Sequence, residues 1–169
     1  VGTNGLGSSL CNIFSNEFKV ETADSKHRFT MTWKDNMSKN SEAKIDRTSQ
    51  HYTRITYKPD LKRFGMKNID NDSFKIMEKR VYEVAGCNPN LTIYFNGKRI
   101  VMKSFKDYCQ MYLDEESLLL YEENSDWQVG ISVSPTGSFQ QVSYVNCVNT
   151  FDGGTHNEHI LNQIIPSLR

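Results

Sequence analysis

The first residues of the chain have a spacing that suits the binding of a phosphate group. The sequence opens with Gly2-x-x-Gly5-x-Gly7, and two serines, Ser8 and Ser9, follow directly. Glycines let a backbone fold around an anion with its N–H groups pointing inward, and a following helix adds free N–H donors and partial positive charge. No lysine follows the last glycine and no strand precedes the loop, so it is neither a Walker A motif nor a dinucleotide fingerprint. An ordinary loop is the alternative.

Two other groups of polar side chains could do chemistry but have simpler interpretations. His156 and His159 are three residues apart near a predicted helix start, a spacing that places two imidazoles on one helix face, but no third ligand group accompanies them. We interpret them as hydrogen-bonded or exposed histidines. The acidic runs at 114–116 and 122–123 are interpreted as solvated charges rather than as general acids or bases.

A basic run lies near the middle of the chain, around Pro59 and Asp60. It consists of Lys58, Lys62, Arg63 and Lys67. A solvated loop is the favoured interpretation, and a contact to DNA is the alternative.

Composition limits the class of protein. The 169 residues contain 20 Lys and Arg and 20 Asp and Glu, which argues against a histone-like, strongly phosphate-seeking protein. The sequence shows neither a signal peptide nor an apolar stretch of the roughly 18 residues that a membrane span needs. The four cysteines form no C-x-x-C pair, so we expect reduced, mostly buried thiols in a chain of the cytoplasm or nucleus.

Periodicity predicts the elements that must position these residues. Residues 8–14 predict a short helix capped by Ser8 or Ser9, and residues 72–85 predict a longer helix that ends at a left-handed Gly86. The other predicted helices span 105–113 and 152–168. Strands are predicted at 17–22, 27–34, 51–57, 91–95 and 99–102, followed by an antiparallel meander over 118–122, 127–134 and 139–148. These elements predict an α+β fold with a boundary near 114–117.

Read as a string, residues 2–15 resemble the ATP-binding glycine box of type IIA DNA topoisomerases, in the eukaryotic and large-phage style. The match includes the helix after the glycines. Residues 149–156 resemble the gyrase B-type stretch Asn-Thr-x-x-Gly-Gly-Thr-His. Further counterparts occur in the same order along the chain, at residues 22–33, 41–45, 52–60, 95–98 and 139–146, so the resemblance spans essentially the whole sequence.

The resemblance implies a fold and an activity. It implies the C-terminal part of a GHKL ATPase sandwich in residues 1–115, followed by the start of a ribosomal S5 domain 2-like transducer in residues 116–169. In the intact enzyme, ATP and magnesium would drive the passage of one DNA duplex through another. The implied partners are DNA and a second copy of the enzyme, with no membrane. The chain would be cut at both ends, complemented by a separately encoded N-terminal piece, and would present an open apolar sheet face.

The resemblance also implies site residues. The triphosphate would be held by Gly2, Thr3, Asn4, Gly5, Leu6, Gly7, Ser8 and Ser9. Thr53 would help to fix the adenine through its hydroxyl and a water molecule. The water-activating glutamate and the magnesium ligand would lie upstream, so no catalytic or metal-binding residue is implied here, and we expect no ATP hydrolysis by this chain alone. The turn at Gly153 and Gly154 would be structural.

Two departures and two alternatives accompany this interpretation. Thr3 stands where eukaryotic relatives usually carry Arg, and Ser8-Ser9 replaces Ala-Lys, which fits the phage members better.

One alternative function is a non-catalytic dimerisation or interaction module derived from a GHKL ATPase. The other is membership of another GHKL branch, such as the chaperones or the MutL proteins. The predicted location is the cytoplasm of a bacterial host, or the nucleus of a eukaryote.

Overall fold

A computed structural model describes residues 4–168, which divide into two compact units, residues 4–70 and 71–168. The first unit is built on an antiparallel sheet with the strand order β3-β2-β1-β5, in which β4 also pairs with β2. Its elements are α1 (Gly7–Ile13), β1 (Ser15–Asp24), β2 (His27–Lys34), β3 (Lys39–Asn40), β4 (Lys44–Arg47), β5 (His51–Pro59) and a short 3-10 helix (Leu61–Phe64). The predicted hairpin and the predicted third strand are confirmed.

The register of β1 sorts the sheet into an apolar face and a polar face. Phe18 lies opposite Trp33 on β2 and Tyr57 on β5, and the three rings cluster, with Phe18 buried. Directly opposed residues share a face, as do alternate residues of one strand, whereas consecutive residues point to opposite faces. The opposite face therefore carries charged side chains such as Glu21, which lies 3.4 Å from Lys19 and 3.6 Å from Arg54.

Part of the apolar face is open, as the sequence predicts. Ile45, Ile55 and Tyr57 are 69%, 48% and 51% exposed. All three belong to the face that carries Phe18, because Ile45 pairs with Phe29, and Ile55 with Val20.

The second unit joins four helical segments to three separate strand pairs. Its elements are α2 (Asn71–Cys87), β6 (Ile93–Phe95), β7 (Lys98–Ile100), α3 (Phe105–Gln110), β8 (Leu120–Glu123), β9 (Gln128–Ile131), β10 (Tyr144–Val145), β11 (Val148–Asn149), α4 (Thr155–Ile164) and a 3-10 helix (Ile165–Leu168). The pairs are β6 with β7, β8 with β9, and β10 with β11. The turn predicted at Asn96 and Gly97 is confirmed, since both have positive φ and join β6 to β7.

The meander predicted over residues 118–148 is only partly correct. β8 pairs with β9, but the predicted strand at 139–148 is replaced by the short hairpin of β10 and β11. Asn146 and Cys147 both have positive φ, and this left-handed pair reverses the chain inside the predicted strand.

Gly86 does not end α2, contrary to the prediction. The helix continues to Cys87, and Gly86 is buried without a positive φ. A Cβ atom on Gly86 would lie 2.6 Å from Cγ of Tyr108. The glycine therefore serves a close approach between α2 and α3 rather than a left-handed turn.

Tyr108 lies in the core of this second unit. Its ring is buried and contacts those of Phe105, Tyr112 and Tyr144, and its hydroxyl shares hydrogen bonds of 2.7 Å and 2.6 Å with the hydroxyls of Tyr112 and Tyr144. Burial, together with these two hydroxyl neighbours, raises the pKa of Tyr108 well above its usual value.

The predicted boundary at 115/116 falls inside the second unit. There, a Cβ atom on Gly130 of β9 would lie 2.9 Å from Sγ of Cys109, at the end of α3. The assignment of residues 1–115 and 116–169 to two domains stays a prediction. Within residues 4–168, no helix is long and apolar enough to cross a membrane.

Candidate functional site

The glycine loop leads directly into α1. Gly2 and Thr3 lie outside the described residues, and Asn4 and Gly5 form a turn in which Gly5 has a φ of 64°. Leu6 is the N-cap of α1 and provides no side-chain hydrogen bond. The prediction that Ser8 or Ser9 caps the helix is wrong, because the helix begins at Gly7 and places both serines in its first turn.

The start of α1 presents unused hydrogen-bond donors. The first intrahelical bond runs from the N–H of Leu10 to the carbonyl of Leu6. Among the described residues, the N–H groups of the first turn, at residues 7–9, therefore have neither a helical acceptor nor a side-chain cap. Among the described residues, apart from chain neighbours and the helix's own backbone, no heavy atom lies within 4 Å of the Cβ position of Gly5 or Gly7. Such an arrangement can accept an anion.

The other end of α1 is fixed to the sheet by a hydrogen bond at Ser15, while apolar residues of the helix are largely exposed. Leu10 and Ile13 are 48% and 38% exposed, whereas Asn12 is buried and its Oδ1 atom has no hydrogen-bond partner within the described residues. The hydroxyl of Ser15 donates to the carbonyl of Cys11. Cys11 is exposed, so the prediction of a buried thiol is wrong there.

Thr53 lies on β5 of the same unit, directly opposite Thr22 on β1. The two hydroxyl oxygens are 3.3 Å apart. Thr22 also lines a cavity of about 450 Å³ with Phe29 and Ile45 among its neighbours. The sequence did not single out Thr22, because only the pairing of β1 with β5 reveals that it faces Thr53.

The glycine turn near the C-terminus is held by a polar network. Nε2 of His156 lies 3.1 Å from the hydroxyl of Thr150 and 3.2 Å from that of Ser143, and those two hydroxyls are 2.6 Å apart. His159 instead stacks on Trp127. The part of the chain that the structure describes contains no group of three potential metal ligands.

Relatives of known identity match nearly the whole chain, although no family model matches it. DNA topoisomerase 2 top-2 of Caenorhabditis elegans is 42% identical over 174 residues, which cover 97% of this chain and 11% of that protein. DNA topoisomerase 2 of Saccharomyces cerevisiae is 39% identical over 190 residues, which cover 99% of this chain and 13% of that protein. The chain therefore spans about an eighth of these relatives.

Solved structures agree with these relatives. The ATPase region of Saccharomyces cerevisiae topoisomerase II superposes with a TM-score of 0.91 at 42% identity, over 99% of this chain and 46% of that one. The ATPase and transducer domains of DNA topoisomerase II from Balamuthia mandrillaris give a TM-score of 0.88 at 40% identity, over 96% of this chain and 43% of that one. The 43K ATPase domain of Thermus thermophilus gyrase B, at 22% identity and a TM-score of 0.63, shares the fold.

These likenesses confirm the resemblance on which the sequence interpretation rests and the mixed α and β fold that it implies. The relatives named above are eukaryotic, and the likeness to phage enzymes stays a prediction. The chain belongs to the family of type II DNA topoisomerases, as a homologue of part of their ATPase region.

Proposed function

We propose that this chain is part of the nucleotide-binding region of a type II DNA topoisomerase, in which ATP binding and hydrolysis drive the passage of one DNA duplex through another. The observation that carries the proposal is the 42% identity and TM-score of 0.91 to the ATPase region of the yeast enzyme over 99% of this chain. The N–H groups at the start of α1, which have no acceptor among the described residues, support it. The alternative of a non-catalytic module is not favoured by relatives that are themselves named as topoisomerases.

In this proposal the backbone of residues 2–9 binds the triphosphate, and Thr53 contacts the adenine. The loop supplies N–H donors, and the helix start adds partial positive charge. Thr53 is positioned by β5, and its hydroxyl is oriented by the hydrogen bond with Thr22. Magnesium would accompany the nucleotide, and because the family resemblance implies that its ligand lies upstream of the glycine loop, we assign it no residue here.

The proposed assembly is that of the intact enzyme. DNA would be the substrate, a second copy the partner, and a separately encoded N-terminal piece could complete the nucleotide site. Residues 1–115 would belong to the ATPase domain and residues 116–169 to the transducer. The enzyme would act where the DNA lies, in the cytoplasm of a bacterial host or in a nucleus.

A chimeric enzyme tests this proposal. The matching segment of the yeast topoisomerase would be replaced by this chain, and ATP-dependent strand passage would be measured. We expect the chimera to be active. Thr53→Val should raise the ATP concentration for half-maximal activity roughly threefold to tenfold, the effect of losing one hydrogen bond.

Thr56→Val is the matched control, because Thr56 lies on the same strand but on the opposite face of the sheet. It should leave the ATP dependence unchanged. A folded chimera that neither binds nor hydrolyses ATP would contradict the proposed function.

A further inference from the structure

The zero net charge of the chain conceals an uneven distribution between its two units. Residues 1–70 carry twelve Lys and Arg against eight Asp and Glu, whereas residues 71–169 carry eight against twelve. The first part therefore has a formal charge of +4 and the second of −4. A polyanion is attracted by local charge rather than by the total, so the basic part alone has an electrostatic preference for one.

Within the first unit, the positive charge concentrates in residues 58–67, which we call the basic turn. Its cations, Lys58, Lys62, Arg63 and Lys67, are all exposed, and none of them belongs to an ion pair among the described residues. The acid of this segment, Asp60, is half-buried and accepts a hydrogen bond of 3.3 Å from Nδ2 of Asn36. The exposed charges of the basic turn are thus mostly positive, beside the exposed ring of Phe64.

The basic turn is also held in place. The N–H of Asp60 donates to the carbonyl of Phe14 at 2.8 Å, and the rings of Phe64 and Phe14 are 5.5 Å apart. The guanidinium of Arg63 lies 5.2 Å above the ring of Phe14. The N–H of Met66 closes the turn by donating to the carbonyl of residue 61 at 2.9 Å. A fixed backbone lowers the entropy lost on binding.

We propose that the basic turn binds the phosphate backbone of duplex DNA. This inference rests on the proposed function, in which DNA is the substrate, and on the charge complementarity between exposed, unpaired cations and phosphates. Lysine and arginine contacts to phosphates position a duplex without reading its sequence. Each such contact releases counterions, so binding through the basic turn weakens steeply as salt rises.

The test uses the 169-residue chain and a fluorescently labelled DNA duplex, with affinity measured by anisotropy at several salt concentrations. The triple variant Lys58→Gln/Lys62→Gln/Lys67→Gln leaves Arg63 on Phe14 and keeps the turn intact. We expect weaker binding and a plot of log affinity against log salt whose slope is shallower by about 3, close to one for each phosphate contact. If the triple variant unfolds by circular dichroism, Lys62→Gln alone should lower the slope by about 1.

The second unit offers a matched control. Lys98, Arg99, Lys103 and Lys106 are equally exposed and belong to no ion pair among residues 4–168, but they lie in the acidic part of the chain. Lys98→Gln/Lys103→Gln/Lys106→Gln should leave the slope unchanged. The inference is overturned if the wild-type chain does not bind DNA, if the first triple variant keeps its slope, or if both triple variants lose it equally. If the yeast chimera is inactive but the first triple variant still shows the shallower salt dependence, only the proposed function is contradicted.

Discussion

At the residue scale, the absence of a side chain on Gly86 lets α2 pack closely against Tyr108 of α3. Its backbone lies against the ring of Tyr108, with a Cβ position 2.6 Å from Cγ. Tyr108 cannot retreat easily, because it is buried and hydrogen-bonded to Tyr112 and Tyr144. Substitutions at this position act through overpacking rather than through backbone conformation.

Gly86→Ala should therefore lower the free energy of unfolding by about 1–3 kcal/mol, the usual cost of overpacking. Urea denaturation followed by circular dichroism measures it. Gly7→Ala is the control, because Gly7 is helical and has open space around its Cβ position. Equal stability of the two variants would show that Tyr108 moves aside freely.

The half-buried thiols of Cys87 and Cys109 predict how the stability of the fold depends on pH. Burial raises the pKa of Cys109 from 9.0 to about 11, and burial, with Cys147 as a neighbour, does the same for Cys87. The folded chain thus keeps both thiols protonated at a pH where the unfolded chain ionises them. Stability is unaffected below about pH 9 and falls as the pH rises from about 9 to 11.

We expect Cys87→Ala/Cys109→Ala to lose less stability than the wild type over this pH range, measured by urea denaturation at each pH. At pH 9, iodoacetamide should label the exposed Cys11 before Cys87 and Cys109, as followed by mass spectrometry. Parallel stability curves for the two proteins would show that the thiols ionise equally in both states.

At the element scale, a buried carboxylate joins α2 to the hairpin of β10 and β11. Oε2 of Glu83 lies 3.0 Å from Nη1 of Arg80, and Oε1 accepts a 3.2 Å hydrogen bond from Asn149. The same Nη1 atom donates to the carbonyl of Cys147 at 2.9 Å. Asn149 of the hairpin and Arg80 of the helix therefore both contact this carboxylate, and Arg80 also bonds the hairpin backbone.

Glu83→Gln should lower the free energy of unfolding by about 1–3 kcal/mol, because the amide N–H₂ replaces an acceptor that faces Arg80. Glu78→Gln is the matched control. Its ion pair with Lys75 is exposed and should be worth less than about 1 kcal/mol. Chemical denaturation compares the two, and an equal loss would mean that Glu83 gains nothing from its burial.

The same scale shows where local patterns predict structure and where they do not. The alternation of residues 27–34 and the turn at Asn96 and Gly97 were sufficient to predict β2 and the hairpin of β6 and β7. The apolar residues at 139–148 predicted a strand, but polar side chains hold this segment instead, with Ser143 bonded to Thr150. Alternation reports which residues could share a face, and not whether a partner strand is present.

At the scale of the whole molecule, the prediction concerns catalysis. We expect no magnesium-dependent ATP hydrolysis by the purified 169-residue chain, because the family resemblance implies that the general base and the metal ligand lie upstream of the glycine loop. Phosphate release measures this, with the yeast chimera as the positive control. Turnover above background by the chain alone would contradict the expectation.

The sequence by itself determined the family, the glycine loop and most strands and helices, because periodicity, turn residues and motif order are properties of neighbouring residues. The tertiary structure alone decided that Thr22 meets Thr53, that Gly86 serves a close approach and that Glu83 is buried. It also showed which lysines and arginines form ion pairs and that, among the described residues, those of the basic turn do not. Each of these depends on strand register or on contacts between segments distant along the chain, which no local pattern encodes.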